Sequence, residues 1–284
     1  MSVIELPDAA TSAPVVIAEG PSRAQRFLRA AWSWTWPKAL AVLLALAAWQ
    51  VVYWSGWRPP YVLPSPADTL ARLWEMLGTD RFWSALATTM SRAVIGFLVS
   101  LVVGTVIGVA VAKVRPLRMA VGALITGLQT MPSISWFPLA ILLFGLNEQA
   151  ILFVVVLGAA PSVANGVING IDNVPPAFVR LGRVLGAGPV ALYRDIVLPA
   201  ALPGYVSGLT QGWAFAWRSL MAGELLVIIA ERPSLGASLE FARQFSQATL
   251  LLATMLVILV IGMVVDGIFS SFATRLRVRR GLSR

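Results

Sequence analysis

Residues Pro175–Pro203, PPAFVRLGRVLGAGPVALYRDIVLPAALP, break an otherwise strongly apolar sequence with Arg180, Arg183 and Arg194. Arginines are costly in lipid, so this stretch belongs at a membrane surface. Phe178, Leu181 and Leu185 recur at helical spacing, which makes one side of a short surface helix apolar. Pro175 and Pro176 favour an extended approach followed by a helix start, and Pro199 and Pro203 punctuate the approach to the next apolar run. Gly186, with Gly188 and Pro189, ends the helix and turns the chain. Gly182 and Gly186 leave gaps in which the side chains of another protein can approach the backbone. An amphipathic re-entry between two membrane helices is the plainer alternative.

Outward from the loop, composition sets the class. The chain has 284 residues, of which 58% are apolar and 12% charged, whereas soluble domains carry about 25% charged residues. Long apolar runs joined by short charged connections predict an all-α membrane protein, because helices satisfy their own backbone hydrogen bonds in lipid. The formal net charge of +9 is spread through the connections, which fits positive-inside topology and excludes a nucleic-acid stripe. There is no Cys and no His, which removes thiol catalysis, disulfides, Cys/His metal sites and imidazole chemistry.

Six spans are expected, at about 39–57, 86–112, 119–146, 150–171, 200–229 and 248–272, within a permease domain of 38–274. Residues 1–37 are expected as a cytoplasmic tail, 172–199 as the cytoplasmic loop and 275–284 as a basic tail. Between the first two spans, Ser65 caps a short helix with Pro66 in its first turn and an apolar stripe of Leu70, Leu73, Trp74 and Leu77 ending at Gly78. Residues 231–247 are expected as an external loop. With both ends inside, fifteen basic residues fall on the inner side and five outside, with Arg92 and Arg218 within spans. Many of the tryptophans, Trp32, Trp54 and Trp83 among them, fall near span ends as interfacial anchors.

The spans carry small residues at four-residue steps: Gly104 and Gly108, Gly166 and Gly170, then Gly204, Gly208, Gly212 and Ala216. Such faces let helix backbones approach closely, either within one chain or between two copies. The third span is interrupted from Met131 to Pro138; this predicts either a cavity-lining break or a simple proline kink. Arg218 and Glu224 lie inside the fifth span. Arg218 either contacts an anionic substrate or pairs with Glu224, Asp266 or Glu148. Ser133, Ser135, Gln211 and Glu224 complete the expected substrate path, with Thr130 a weaker member, each weighed against plain helix-to-helix hydrogen bonding.

Gly186, nine residues, Ile196, one residue, Leu198 and Pro199 together resemble the cytoplasmic loop signature of the membrane subunits of binding-protein-dependent ABC importers. The opening Glu-Ala-Ala triplet of that signature falls on Arg180, Leu181 and Gly182 and is absent. Leu63–Pro66, LPSP, is similar to a segment of the nitrate, sulfonate and taurine importers. The resemblance implies a type I importer permease fold with both termini cytoplasmic, in a bacterial inner membrane. It implies two separate ATPase subunits that bind ATP and Mg, with the helix around Arg180–Gly186 in a cleft of each, and an extracytoplasmic binding protein. It also implies a second permease chain, expected as a homodimer on the strength of the glycine faces. The solute would be a small anion such as an aliphatic sulfonate, taurine or nitrate. The chain itself has no GxxxxGK[ST] phosphate loop, its only lysines being Lys38 and Lys113. No cofactor is expected in it. An ion-driven secondary transporter would need intramembrane carboxylates, for which Glu224 and Asp266 are the candidates. A membrane enzyme would need a clustered acid, base or nucleophile set that the sequence lacks.

Overall fold

The computed structural model describes residues 23–279, which are almost wholly helical. The chain falls into two units, 1–55 and 56–284. In the first, α1 (Arg23–Trp54) is a single helix, so 23–37 of the expected amino-terminal tail are helical. Arg, Ala and Leu are good helix formers and continue the span's helix backward. The rest of that tail, 1–22, lies outside the described residues, as do Arg280 and Arg284 of the basic tail.

The second unit runs α2 (Pro66–Leu77), α3 (Asp80–Lys113), α4 (Arg115–Thr130), a 3₁₀ turn (Ser133–Trp136), α5 (Phe137–Phe144) and α6 (Glu148–Asp172). It continues with α7 (Pro176–Val184), α8 (Pro189–Ala191), a π-helical turn (Leu192–Val197), α9 (Leu198–Leu226), α10 (Leu235–Gln244) and α11 (Ala248–Arg279). Among the described residues, four helical stretches are long and apolar enough to cross a membrane: Trp36–Trp54 of α1, α3, α6, and Ala248–Arg275 of α11. The pair α4 and α5 makes a fifth if it is one span; it bends by 105° at the Met131–Pro132 break, far beyond a simple proline kink. Pro132 has no N–H to continue the helical ladder, and Met131 takes the extended conformation that precedes a proline. α9 has 29 residues but is not in that set; glycines, Gln211, Arg218 and Glu224 dilute its apolar character.

α6 is the central helix of this unit. Ile151, Val154, Val155, Ala159 and Val163 are fully buried, packed with Phe97 of α3, Phe137 of α5 and Trp213, Ala216 and Leu220 of α9. The expected glycine faces bring these helices together. A methyl on Gly166 would lie 2.6 Å from Cα of Gly208, and one on Gly204 would lie 2.5 Å from Cα of Gly170. On the other side of α6, a methyl on Gly104 would lie 2.5 Å from the Ala160 carbonyl oxygen. Backbone cannot give way as a side chain can, so α3, α6 and α9 reach this spacing only through glycine. These faces are therefore occupied within one chain and lend no support to a homodimer.

The short helix α2 has the expected bounds, with Ser65 Oγ accepting from Asp68 N at 3.1 Å. Its packing side is Leu73, Met76 and Leu77, while Leu70 and Trp74 are exposed. The expected loop 231–247 contains α10, capped by Ser234 Oγ accepting from Ala237 N at 3.2 Å. That Ser cap was the signal available in the sequence.

Candidate functional site

The loop 173–197 folds back on itself. Gly182 is buried, and a methyl there would meet Cδ1 of Leu192 at 2.8 Å and also Ile196. The gap expected to admit another protein is thus filled by this chain's own Leu192 and Ile196. Gly186 has φ +79, and a methyl placed on it would find nothing within 4 Å. The Ala187 N–H donates to the Gly182 carbonyl and the Gly186 N–H to the Arg183 carbonyl, both at 3.0 Å. This paired C-terminal cap demands a left-handed residue at Gly186. Val174, Val197 and Ala201 form a small core with Ile171 and Val179, so α7 is fastened to the end of α6 and the start of α9. Lys113 Nζ lies 5.2 Å from the centre of the Tyr193 ring, tying the end of α3 to the same block.

What this block leaves outside is apolar. Leu181 is 59%, Val184 83%, Leu185 76% and Val190 79% exposed. Arg180 and Arg183 are exposed beside them, as is Leu198, while Pro199 is half-buried.

A cleft of about 940 Å³ opens between α6 and α9 above this block. Asn165 and Asn169 of α6 and Asn173, the residue just after it, line the cleft at four-residue steps, with Ser207 and Gln211 from α9. From α4, Gln129 Nε2 donates to Ser162 Oγ at 2.8 Å, and Gln129 Oε1 accepts from Asn165 Nδ2 at 2.6 Å. Of the expected path residues, Gln211 alone opens on this cleft. Thr130 Oγ1 turns back to the Gly127 carbonyl at 2.8 Å; Ser133 is half-buried and Ser135 exposed at the bend.

At the opposite end of α9 the two expected charges part company. Glu224 is fully buried and accepts from Arg92 Nη1 at 2.8 Å, Thr89 Oγ1 at 2.9 Å and the Gly236 N–H at 3.0 Å. The Leu235 N–H donates to Thr89 Oγ1 at 3.0 Å. Arg92 also donates to Glu148, through Nε at 2.8 Å and Nη2 at 2.6 Å, and Arg232 approaches Glu148 at 3.4 Å. Glu224 does not line the cleft: it is fully buried and engaged by three donors from α3 and the first turn of α10. Arg218 pairs with none of its three expected acids. Its Nε donates to the Ala214 carbonyl at 3.0 Å and its guanidinium lies 4.8 Å from the Phe215 ring centre. It opens on a separate groove between α9 and α11, together with Asp266. Arg92, the partner of both Glu148 and Glu224, was legible only as a charge inside a span.

The site is a glycine-packed bundle of membrane-length helices with an apolar-faced loop between two of the long helices. The chain belongs to the family of binding-protein-dependent transport system inner membrane components, whose profile matches residues 100–278. It is therefore a transport component and a multi-pass membrane protein. It is 26% identical to the taurine transport system permease protein TauC of Escherichia coli K12 over 245 residues, 82% of this chain and 88% of that one. It is 28% identical over 232 residues to the putative aliphatic sulfonates transport permease protein SsuC of Bacillus subtilis 168, 81% of this chain and 83% of that one. The fold matches that of the inward-facing MetNI methionine ABC transporter with a TM-score of 0.51 at 24% identity, covering 71% of this chain and 94% of that one. This is the type I importer permease fold.

Proposed function

We propose that the chain is the permease of an ATP-driven importer for a small anion of the sulfonate, taurine or nitrate kind, working as a pair of permease chains with two ATPase subunits and an extracytoplasmic binding protein. The observation that carries this reading is the loop. α7 and the π-helical turn are locked together through Gly182, Leu192 and Ile196 and continue directly into α9. A push on α7 is therefore delivered to α9, because the block moves as one body and has no soft joint in which to lose the displacement. Exposed Leu181, Val184, Leu185 and Val190 supply an apolar patch for the ATPase to cover. Arg180 and Arg183 at its rim suit acidic side chains on that partner. The names and 26–28% identities of the taurine and sulfonate relatives support the choice of solute. The ion-driven alternative is not favoured, since Glu224, one of its two coupling candidates beside Asp266, is engaged by Arg92.

Val184→Asp tests the reading. Val184 is 83% exposed, so the variant should insert and fold normally, yet fail to retain the ATPase through purification and fail to support uptake. Retained ATPase with normal uptake would overturn the proposed docking face.

A further inference from the structure

We propose that Asn169 and Gln211, backed by Asn165 and Gln129, form the hydrogen-bonding lining that hands an oxyanion solute through the cleft between α6 and α9; this rests on the permease reading above. The cleft, at about 940 Å³, lies within the roughly 300–1,000 Å³ that small-molecule sites occupy. Its walls are otherwise glycine, proline, alanine and other small or apolar groups, so the carboxamides are its polar content apart from Ser207 and Asp195. Asp195 sits at the loop end and pairs with Arg194 at 2.8 Å.

The amides fall into two sets. Asn165 is oriented by Gln129, which is itself held by Ser162, and this set ties α4 to α6 as helix-to-helix hydrogen bonds do. Asn173 Nδ2 is used on the Asn169 backbone carbonyl at 2.8 Å. Asn169 and Gln211, one on each wall, make no side-chain hydrogen bond among the described residues and are exposed to the cleft. Each offers an N–H₂ pair. Unsatisfied amides facing a membrane cavity are costly unless water or a passing ligand satisfies them. Two free N–H₂ groups and an oriented third suit the oxygens of a sulfonate or nitrate. Neutral donors also fit conduction, in which binding must be strong enough to admit the solute and weak enough to release it. A fixed cation in the same place would hold an anion too tightly.

The test uses the assembled transporter in proteoliposomes with labelled taurine and labelled ethanesulfonate as probes, measuring uptake and ATP hydrolysis in parallel. Asn169→Asp keeps the shape and sets a like charge in the path, so uptake should fall about tenfold or more. Gln211→Leu should lower it by about three- to fivefold, the loss of one hydrogen-bonding partner. Hydrolysis stimulated by the loaded binding protein should stay within about twofold of the parent, because the coupling block is untouched. Undiminished uptake in both variants would overturn the proposal, as would a wild-type complex that is stimulated by neither probe. Because the chain has no cysteine, Asn169→Cys adds a check independent of transport. It should react with a water-soluble thiol reagent in the nucleotide-free state, and protection from that reagent would overturn the aqueous cleft. If instead the parent chain assembles with no ATPase, the permease reading fails, whatever the variants do.

Discussion

The two ends of α9 are built on opposite principles. At its carboxyl end, Glu224, Arg92, Glu148 and Thr89 close a polar network around the first turn of α10. Buried charge there is answered by charge and by backbone N–H groups of the same chain, so this end is complete. At its amino end, the loop block buries Gly182, Leu192 and Val197 but turns Leu181, Val184, Leu185 and Val190 outward. That end leaves an apolar face uncovered by the chain itself, which is where the proposed ATPase would dock. The difference teaches where to expect rigidity and where to expect a partner: α9 is anchored at one end and handled at the other.

The comparison breaks most readily at the network. Glu224→Ala strands the buried Gly236 N–H and leaves Arg92 with Glu148 as its one remaining carboxylate, and should cost about 3–5 kcal/mol, seen as loss of folded protein from detergent or a fall in melting temperature. Glu224→Gln keeps a carbonyl for the Gly236 N–H and should cost less, about 1–3 kcal/mol. Equal loss in both would mean that the charge, and not the acceptor, holds α10.

At the loop end the expected effects shift from stability to coupling. Gly186→Val forces a β-branched residue to φ +79, a local strain of about 1–3 kcal/mol. The cap should loosen, and hydrolysis should run on with uptake lost, while the melting temperature falls less than in Glu224→Ala. Melting losses as large as those at Glu224 would erase the contrast between the two ends. Gly182→Ala is a finer probe. Its methyl meets the tips of Leu192 and Ile196, flexible side chains that can yield, so the cost should be about 1 kcal/mol, with a partial loss of coupling.

The smallest effect belongs to the surface of α10. Arg243, and then Gln244, hold the Glu240 carboxylate down to about 2. A depressed carboxylate stabilises the fold above its unfolded value of about 4.3 and loses that contribution as pH falls toward 2. Glu240→Gln should leave melting unchanged at neutral pH beyond the modest loss of an ion pair with the exposed Arg243, and should flatten its decline between about pH 4 and pH 2. An effect at neutral pH matching that of Glu224→Gln would contradict the placement of this pair at the surface of α10.

Much of the fold was legible because its signals are local. Apolar runs located the long helices, Ser65 and Pro66 marked the start of α2, and four-residue glycine steps marked the faces that α3, α6 and α9 use. The end of α7 before Gly186 followed from Gly186, Gly188 and Pro189. α10 was missed because ten residues of mixed polarity after a serine resemble a loop. Glu224 was misplaced for a different reason: its partners Thr89 and Arg92 lie 135 and 132 positions away, and helical periodicity says nothing about which helices become neighbours.

The sequence by itself determined that this chain is helical, crosses a membrane and carries a polar, glycine-turned loop between two long helices, since burial of apolar runs, backbone hydrogen bonding in lipid and glycine's left-handed freedom are decided residue by residue. Only the tertiary structure decided that Arg92 answers both Glu148 and Glu224, that Gly182 is filled from within, and that Asn169 and Gln211 line one cleft. Those outcomes depend on which helix faces meet, and three-dimensional packing of distant segments alone sets that.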